Sequence, residues 1–267
     1  MTSVLTLQSV HKTFEAKTPN ENHVLKGVDL KVEKGDFITI IGGNGAGKST
    51  FLNAIAGSLL VDQGTIKIED KDVTKLTANK RAGLVSRVFQ DTRMGTASRL
   101  TIEENMAIAD RRGHSFGFGR GVNNKQREQF KEALKLLDLG LENRLTAEVG
   151  LLSGGQRQAL TLLMATLKKP KVLLLDEHTA ALDPKTSDMV LKLTEEVIKR
   201  DQLTALMITH DMEQAIQMGN RLLMMDNGRI LIDISGEEKK QLTVQQLLDM
   251  FKKQSGRALN DDALILG

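Results

Sequence analysis

Cysteine is absent from the 267-residue chain, which removes disulfides, thiolate metal sites and thiol nucleophiles together and suits a reducing compartment. Any metal must be held by oxygen or imidazole. Tryptophan and tyrosine are also absent, and phenylalanine occurs 8 times. No interfacial aromatic belt is available, and stacking on a nucleobase falls to very few rings. Long apolar runs are lacking: Ala159 to Leu167 and Val172 to Leu175 fall far short of the roughly 18 residues that span a bilayer. Met1 to Thr6 carry neither a basic region nor an apolar segment of the secretory kind, so a cytoplasmic location is expected. The balance of 37 Lys and Arg against 34 Asp and Glu leaves +3 spread along the chain, with no basic stripe for nucleic acid. What is present, 40% hydrophobic and 27% charged residues, is the composition of an ordinary globular protein, and the length suits one large α/β domain.

Val4 to Val10 and Leu25 to Val32 alternate partly in period two, and Glu33-Lys34-Gly35 supplies a turn before the apolar run Phe37 to Ile41. Gly42 to Thr50 forms a glycine-rich loop, after which Phe51, Leu52, Ile55 and Ala56 recur at helical spacing until Gly57. Further strands are expected at Gly64 to Glu69 and Leu84 to Phe89. From about Asp91 to Leu151 the pattern becomes helical, which marks an insert. There Thr101-Ile102-Glu103-Glu104 has the form of a capping box, and Phe130, Leu134, Leu137 and Leu141 mark the buried face of a second helix. Arg111 to Gly121 is too rich in glycine for regular structure; it reads as a solvated loop, with a basic contact to a membrane protein or lipid headgroups as the alternative.

A helix over about Gly154 to Lys168, the strand Val172 to Leu175, a helix over Ser187 to Lys199 and the strand Leu203 to Thr209 follow. Such alternation predicts a parallel sheet covered on both faces. Asn227-Gly228, between Arg221 to Asp226 and Arg229 to Ile234, predicts a two-residue hairpin. The expected architecture is one α/β domain. Its core comprises residues 1–90 and 152–235 and opens with an antiparallel part; residues 91–151 form a helical insert, and 236–267 a short tail whose one amphipathic helix carries Leu247, Leu248 and Phe251.

Gly42-Gly43-Asn44-Gly45-Ala46-Gly47-Lys48-Ser49-Thr50 fits G-x-x-x-x-G-K-[ST] between an apolar strand and a helix, the setting of a phosphate-binding loop. The glycines let successive N–H groups face phosphates ahead of a helix N-terminus. Lys48 is suited to neutralise β- and γ-phosphates, and the Ser49 hydroxyl to ligate Mg²⁺. Val172 to Leu175 leads into Asp176 and Glu177 at the sheet edge where α/β ligand sites form. A carboxylate there is costly without a task. Asp176 is suited to hold Mg²⁺ through its water shell, and Glu177 to orient or deprotonate an attacking water. Leu152-Ser153-Gly154-Gly155-Gln156 precedes a helix; Ser153 is a natural N-cap, and the two glycines would leave the helix end bare for a second anion. Two anion-binding helix ends so far apart in sequence could close on one nucleotide only across a dimer interface.

With these motifs in this order, the chain resembles the nucleotide-binding subunits of ATP-binding cassette (ABC) transporters over nearly its whole length. The resemblance implies a P-loop NTPase core that hydrolyses ATP with Mg²⁺. Gly42, Asn44, Gly45, Ala46, Gly47, Lys48, Ser49 and Thr50 would hold the nucleotide, and Ser153, Gly154, Gly155 and Gln156 would close on it from a second copy. By the same resemblance Gln90 senses Mg²⁺ and faces the membrane subunits. Asp183, in Ala181-Leu182-Asp183, signals between the two sites; His210 contacts the γ-phosphate, and Phe14 stacks on adenine. Ser49, Gln90 and Asp176 form the implied metal set. The implied partners are transmembrane permease subunits, a second copy head-to-tail and an extracytoplasmic substrate-binding protein, with no nucleic acid. The implied location is the inner face of the cell membrane, as a peripheral subunit.

His178 departs from the family, which usually carries proline or a small residue after the glutamate; it is read as structural. His11, His23 and His114 receive no role. His-Thr-Ala-Ala-Leu-Asp, with the glycine-rich insert and compact tail, is similar to the ATPase subunits of bacterial amino-acid uptake systems of the tryptophan/tyrosine type. Two alternatives stay open. One is a non-transport ATPase of the same class, in DNA repair or on ribosomes, although the chain lacks a long coiled-coil insert or a second cassette. The other is a kinase or GTPase, which would leave Leu152 to Gln156 and His210 unexplained.

Overall fold

Two sheets divide the strands, with helices packed between and around them. The computed structural model describes residues 3–113 and 122–255. β1 (Ser3–Phe14), β2 (Asn22–Glu33), β4 (Gln63–Ile68) and β5 (Lys71–Asp72) form an antiparallel sheet in the order β2-β1-β4-β5. β3 (Phe37–Ile41), β6 (Val85–Val88), β7 (Val172–Asp176), β8 (Ala205–Ile208), β9 (Arg221–Asp226) and β10 (Arg229–Ser235) form the second sheet in the order β10-β9-β3-β8-β7-β6. Its members pair in parallel except for the β9–β10 hairpin. The described helices are α1 (Lys48–Ala56), α2 (Ala78–Arg81), α3 (Ile102–Asp110), α4 (Asn124–Lys135), α5 (Gly154–Thr166), α6 (Pro184–Asp201), α7 (Met212–Gln217), α8 (Gly236–Lys240) and α9 (Val244–Ser255). Among the described residues no helix is long and apolar enough to cross a membrane.

β3 and β8 are buried throughout, as is β7 up to Asp176, and this is why they read as unbroken apolar runs. Strand alternation sends their side chains to two cores. Leu173, Leu175, Ala205 and Met207 pack with Met106 of α3, Phe130 of α4 and Leu160 of α5; Val172, Leu174, Leu206 and Ile208 pack with Phe51, Leu52 and Ile55 of α1 and with the antiparallel sheet. A third core joins Leu222, Met224, Ile232 and Ile234 of the hairpin to Leu247 and Phe251 of α9. Asn227 (φ 46°) and Gly228 (φ 77°) make the two-residue turn expected of that dipeptide.

The predicted capping box is present: the N–H of Glu104 donates to Thr101 Oγ1 at 3.3 Å, and that of Thr101 to Glu104 Oε2 at 2.8 Å. Three readings need correction. β1 and β2 run 12 residues each, beyond Val4 to Val10 and Leu25 to Val32, because their far ends are mostly polar, half-buried or exposed, and carry no apolar alternation. α4 stops at Lys135; Leu137 and Leu141 are buried from a turn containing Asp138 and Gly140 in the left-handed region and from a following 3₁₀ turn. Arg112 is no solvated contact: its guanidinium donates to the carbonyls of Ala165 at 2.9 Å and Lys168 at 2.7 Å, closing the end of α5. Residues 114–121 of that glycine-rich segment lie outside the described residues.

α1 is anchored at its C-terminal end by Arg81, whose buried guanidinium donates to the carbonyls of Ala54 and Ile55, each at 2.7 Å, and to Leu76 at 2.9 Å. Burial pulls the Arg81 pKa down to about 10. The helix behind the glycine-rich loop is thereby held in place.

Candidate nucleotide-binding site

The loop from β3 to α1 owes its path to glycine at two points. Gly42 has φ 151° and would carry a Cβ 2.2 Å from the Met225 carbonyl oxygen; Gly47 has φ 97° at the N-cap of α1. On the outer side a Cβ on Gly43 or Gly45 would meet nothing within 4 Å, so the loop is an open cradle lined by backbone. Asn44, Gly45 and Ser49 are exposed, Thr50 is half-buried, and Ala46 is buried. The Gly228 N–H donates to the Ala46 carbonyl at 3.1 Å, so the β9–β10 turn braces the loop from behind. That brace was not legible in sequence. Lys48 lies across the loop, its Nζ donating to the carbonyl oxygens of Gly42 at 2.7 Å and Gly43 at 3.2 Å. Burial lowers its pKa, opposed by the charges of Glu177 and Asp176. A phosphate would restore the negative charge this buried ammonium lacks.

Parallel register brings the acidic residues to the same edge. Asp176 lies opposite Ile208, and the Glu177 N–H donates to the Ile208 carbonyl at 3.2 Å. Glu177 sits in the left-handed region at φ 47°, a strained placement for a side-chain-bearing residue at a strand end. Its Oε2 is 2.6 Å from His210 Nε2, with the glutamate side chain 12% exposed against 33% for the histidine. Two residues 33 apart in sequence thus meet at this sheet edge. Val88 pairs with Leu175, so Gln90 emerges two residues later at this edge, exposed. Asp176 also has a partner within the chain: its Oδ2 accepts from Arg87 Nη2. Arg87 carried no signal in any motif.

Leu152 to Gln156 also needs correction. Ser153 caps α5, its Oγ accepting from the Gln156 N–H and the Gln156 side chain accepting from the Ser153 N–H, both at 3.2 Å. Ser153 and Gly154 are exposed, but Gly155 is buried, and a Cβ there would stand 2.2 Å from Thr186 Cγ2 on α6. The second glycine therefore serves helix packing rather than an open helix end. Asp183 caps α6 by accepting from the Thr186 N–H at 3.1 Å, and these hydrogen bonds with Thr186 hold its carboxyl below the usual range. Among the described residues no hydrogen bond or ion pair joins Leu152 to Gln156 with Gly42 to Thr50. Gln158, missed in the sequence, is buried on α5 and donates to the Phe89 carbonyl at 3.4 Å, which ties this helix to the loop of Gln90.

Phe14 is 38% exposed, with Lys12 Nζ 5.8 Å from its ring centroid. It pairs with Asn22, two residues from Val24, whose carbonyl lies 3.1 Å from where a Cβ on Gly47 would stand. His178 is structural, as read: buried, with Nε2 2.9 Å from Thr194 Oγ1. That hydroxyl donates to the Val190 carbonyl at 2.8 Å, so it accepts from the imidazole, whose Nε2 carries a proton. Burial brings the His178 pKa down to about 4. A cavity of about 720 Å³ lined by Phe37, Gly219 and Asn220 lies at the opposite end of β3 and includes none of these groups.

A G-x-x-x-x-G-K-[ST] loop between β3 and α1, with carboxylates at the end of β7 two strands away across the parallel sheet, is the arrangement of a P-loop nucleotide hydrolase. The family described as ABC transporter matches residues 25–180, and the chain belongs to it, as an ATP-binding cassette that hydrolyses ATP. The chain is 39% identical over 249 residues to the "Tyrosine transport ATP-binding protein" of Clostridioides difficile, covering 93% of this chain and 99% of that one. It is 36% identical to the "Aliphatic sulfonates import ATP-binding protein SsuB" of Albidiferax ferrireducens (86% and 73% covered), and 33% identical to the "Methionine import ATP-binding protein MetN 2" of Listeria innocua (92% and 72%). Its fold matches the crystal structure of the ADP conformation of an ABC transporter's ATP-binding cassette with a TM-score of 0.78 at 27% identity, covering 94% of this chain and 99% of that one. A dimeric cassette in a post-hydrolysis state bound to ADP and phosphate matches with a TM-score of 0.73 at 27% identity, covering 86% and 98%.

Proposed function

We propose that this cassette powers import of an aromatic amino acid, tyrosine or tryptophan, through separate transmembrane permease subunits. The observation that carries the hydrolytic part of this reading is the contact of Glu177 with His210 at 2.6 Å. In this role Glu177 orients the attacking water and takes up its proton, while His210 donates to the terminal phosphate. Lys48 exchanges the carbonyls of Gly42 and Gly43 for β- and γ-phosphate oxygens, the N–H groups of Gly45 to Ser49 cradle the phosphates, and Phe14 stacks on adenine.

The Ser49 hydroxyl, the Asp176 carboxylate and the Gln90 amide are hard oxygen donors, the set that suits Mg²⁺. Among the described residues no group of three or more His, Asp or Glu is arranged to hold a metal ion by itself, so these residues would receive the ion together with the nucleotide's phosphates. When bound, Mg²⁺ supplies positive charge to the β- and γ-phosphate oxygens.

Ser153 and Gly154 of one copy close on the loop of a second, and Asp183 signals across that interface; the likeness to a dimeric cassette bound to ADP and phosphate supports this. The tyrosine-transport relative supports the substrate class, and the sulfonate and methionine relatives support import. The permeases hold the cassette at the cytoplasmic face of the membrane, and an extracytoplasmic binding protein delivers the substrate.

Light scattering of the Glu177→Gln chain with Mg·ATP tests the site, with refractive-index detection because tryptophan and tyrosine are absent. The expected result is a doubling of mass with ATP retained and turnover lost; near wild-type hydrolysis would refute the role of Glu177. For the substrate, ATPase activity of the complex reconstituted with its permease should rise more with tyrosine or tryptophan than with methionine or an alkyl sulfonate. Stronger stimulation by methionine would overturn the substrate reading.

A further inference from the structure

Arg87 belongs to no sequence motif, yet the fold places it under the proposed Mg²⁺ site. It lies on β6 opposite Leu174 of β7, so its side chain leaves the sheet on the face shared by Leu174 and Asp176. That face packs on α1. The guanidinium reaches two elements at once: Nη2 donates to Asp176 Oδ2, and Nη1 donates to Asn53 Oδ1 at 2.5 Å. Asn53 stands one turn beyond Ser49 on α1. Arg87 therefore bridges the strand and the helix that carry two of the proposed Mg²⁺ donors. The Phe89 ring lies 4.8 Å from Cζ, the arginine and aspartate side chains are only 13% and 14% exposed, and the buried Nε has no hydrogen-bond partner. Carboxylate, amide and ring hold the guanidinium in place, and water screens its charge weakly.

We propose that Arg87 is a resident counter-ion of Asp176 that competes with Mg²⁺ for this carboxylate and limits how strongly Mg²⁺ tightens nucleotide binding. The inference rests on the reading of Asp176 as the carboxylate on the Mg²⁺ side of the site. A fixed positive charge on Oδ2 leaves Oδ1 available but lowers the negative potential a divalent ion meets there. Before nucleotide arrives, the same charge offsets the adjacency of Asp176 and Glu177, which would otherwise place two carboxylates side by side with one cation fewer. Arg87 is thus a positioning residue that exchanges some affinity for Mg²⁺ for a site that stays assembled without it.

The quantity to measure is the Mg²⁺ factor, the ratio of dissociation constants for a fluorescent, slowly hydrolysed ATP analogue in EDTA and in millimolar Mg²⁺, read by anisotropy. Arg87→Met should raise this factor about fivefold or more, through removal of like-charge repulsion. Arg87→Lys, which keeps a cation, should leave it within about twofold of wild type and serves as the conservative control. In an Asp176→Asn background Arg87→Met should have no further effect. If Asp176→Asn lowers the factor while Arg87→Met leaves it unchanged or lowers it, the competition is refuted and the Mg²⁺ reading stands. If Asp176→Asn leaves the factor at its wild-type value, the reading of Asp176 fails and the role of Arg87 falls with it.

Discussion

Substituting leucine for His178 should remove an acid sensitivity from the folded chain. The side chain is 2% exposed, and burial disfavours the charged imidazolium, so the folded state holds the imidazole neutral. Its pKa in the fold is about 4 against an ordinary 6.5. The unfolded chain therefore takes up the proton first as pH falls, and between these two values it binds more protons than the folded chain. Stability is full above pH 6.5 and declines as pH falls towards 4. At pH 5 about 1.5 pH units of that interval have been crossed, which at 1.36 kcal/mol per unit amounts to about 2 kcal/mol. Leucine has no proton to gain, and the Thr194 hydroxyl keeps the Val190 carbonyl as its acceptor. Urea denaturation followed by far-ultraviolet circular dichroism at pH 7.5 and pH 5, on wild type and His178→Leu, measures the difference. Wild type should lose about 2 kcal/mol more than the variant on acidification; equal losses would show that His178 is not held neutral in the fold.

Gly155→Ala should destabilise the chain by about 1 to 3 kcal/mol and weaken nucleotide-driven dimerisation, because the new methyl meets Thr186 Cγ2 at 2.2 Å. Thr186→Ser removes that methyl and should restore most of the loss in thermal melts; no rescue would place the strain elsewhere. Arg81→Met should cost about 3 kcal/mol or more by stranding the carbonyls that end α1. A melting temperature unchanged from wild type would contradict the anchoring role. Thr101→Ala should cost about 1 kcal/mol in urea denaturation through loss of the cap on α3, with ATP hydrolysis by the isolated chain intact. A loss of hydrolysis at full stability would give Thr101 a part in the chemistry.

The strand–loop–helix geometry of residues 42–50 was legible because the requirements there are local: glycines at positive φ, then a lysine and a hydroxyl at the start of a helix. The strands β3, β7 and β8 were legible because burial on both faces demands unbroken apolar residues. Ser153 was recognisable as a cap for the same local reason. Its neighbour Gly155 was misread, since the obstacle to a side chain there is a methyl group on α6, 31 residues further along the chain. The polar ends of β1 and β2 escaped notice because backbone pairing with a neighbour, rather than an apolar face, makes them strands. The short helices α2, α7 and α8 span too few turns for a periodic pattern.

By itself the sequence determined that the chain binds a phosphate-bearing ligand on a strand–loop–helix unit, since those atoms lie within ten residues of one another and their geometry follows from the local backbone. Only the tertiary structure decided which distant groups surround that loop. Glu177 meets His210 because β7 and β8 pair in register; Arg87 meets Asp176 because β6 lies beside β7; and His178 stays neutral because α6 covers it. Sheet register and burial are sums over contacts between remote segments, and no window of sequence contains them.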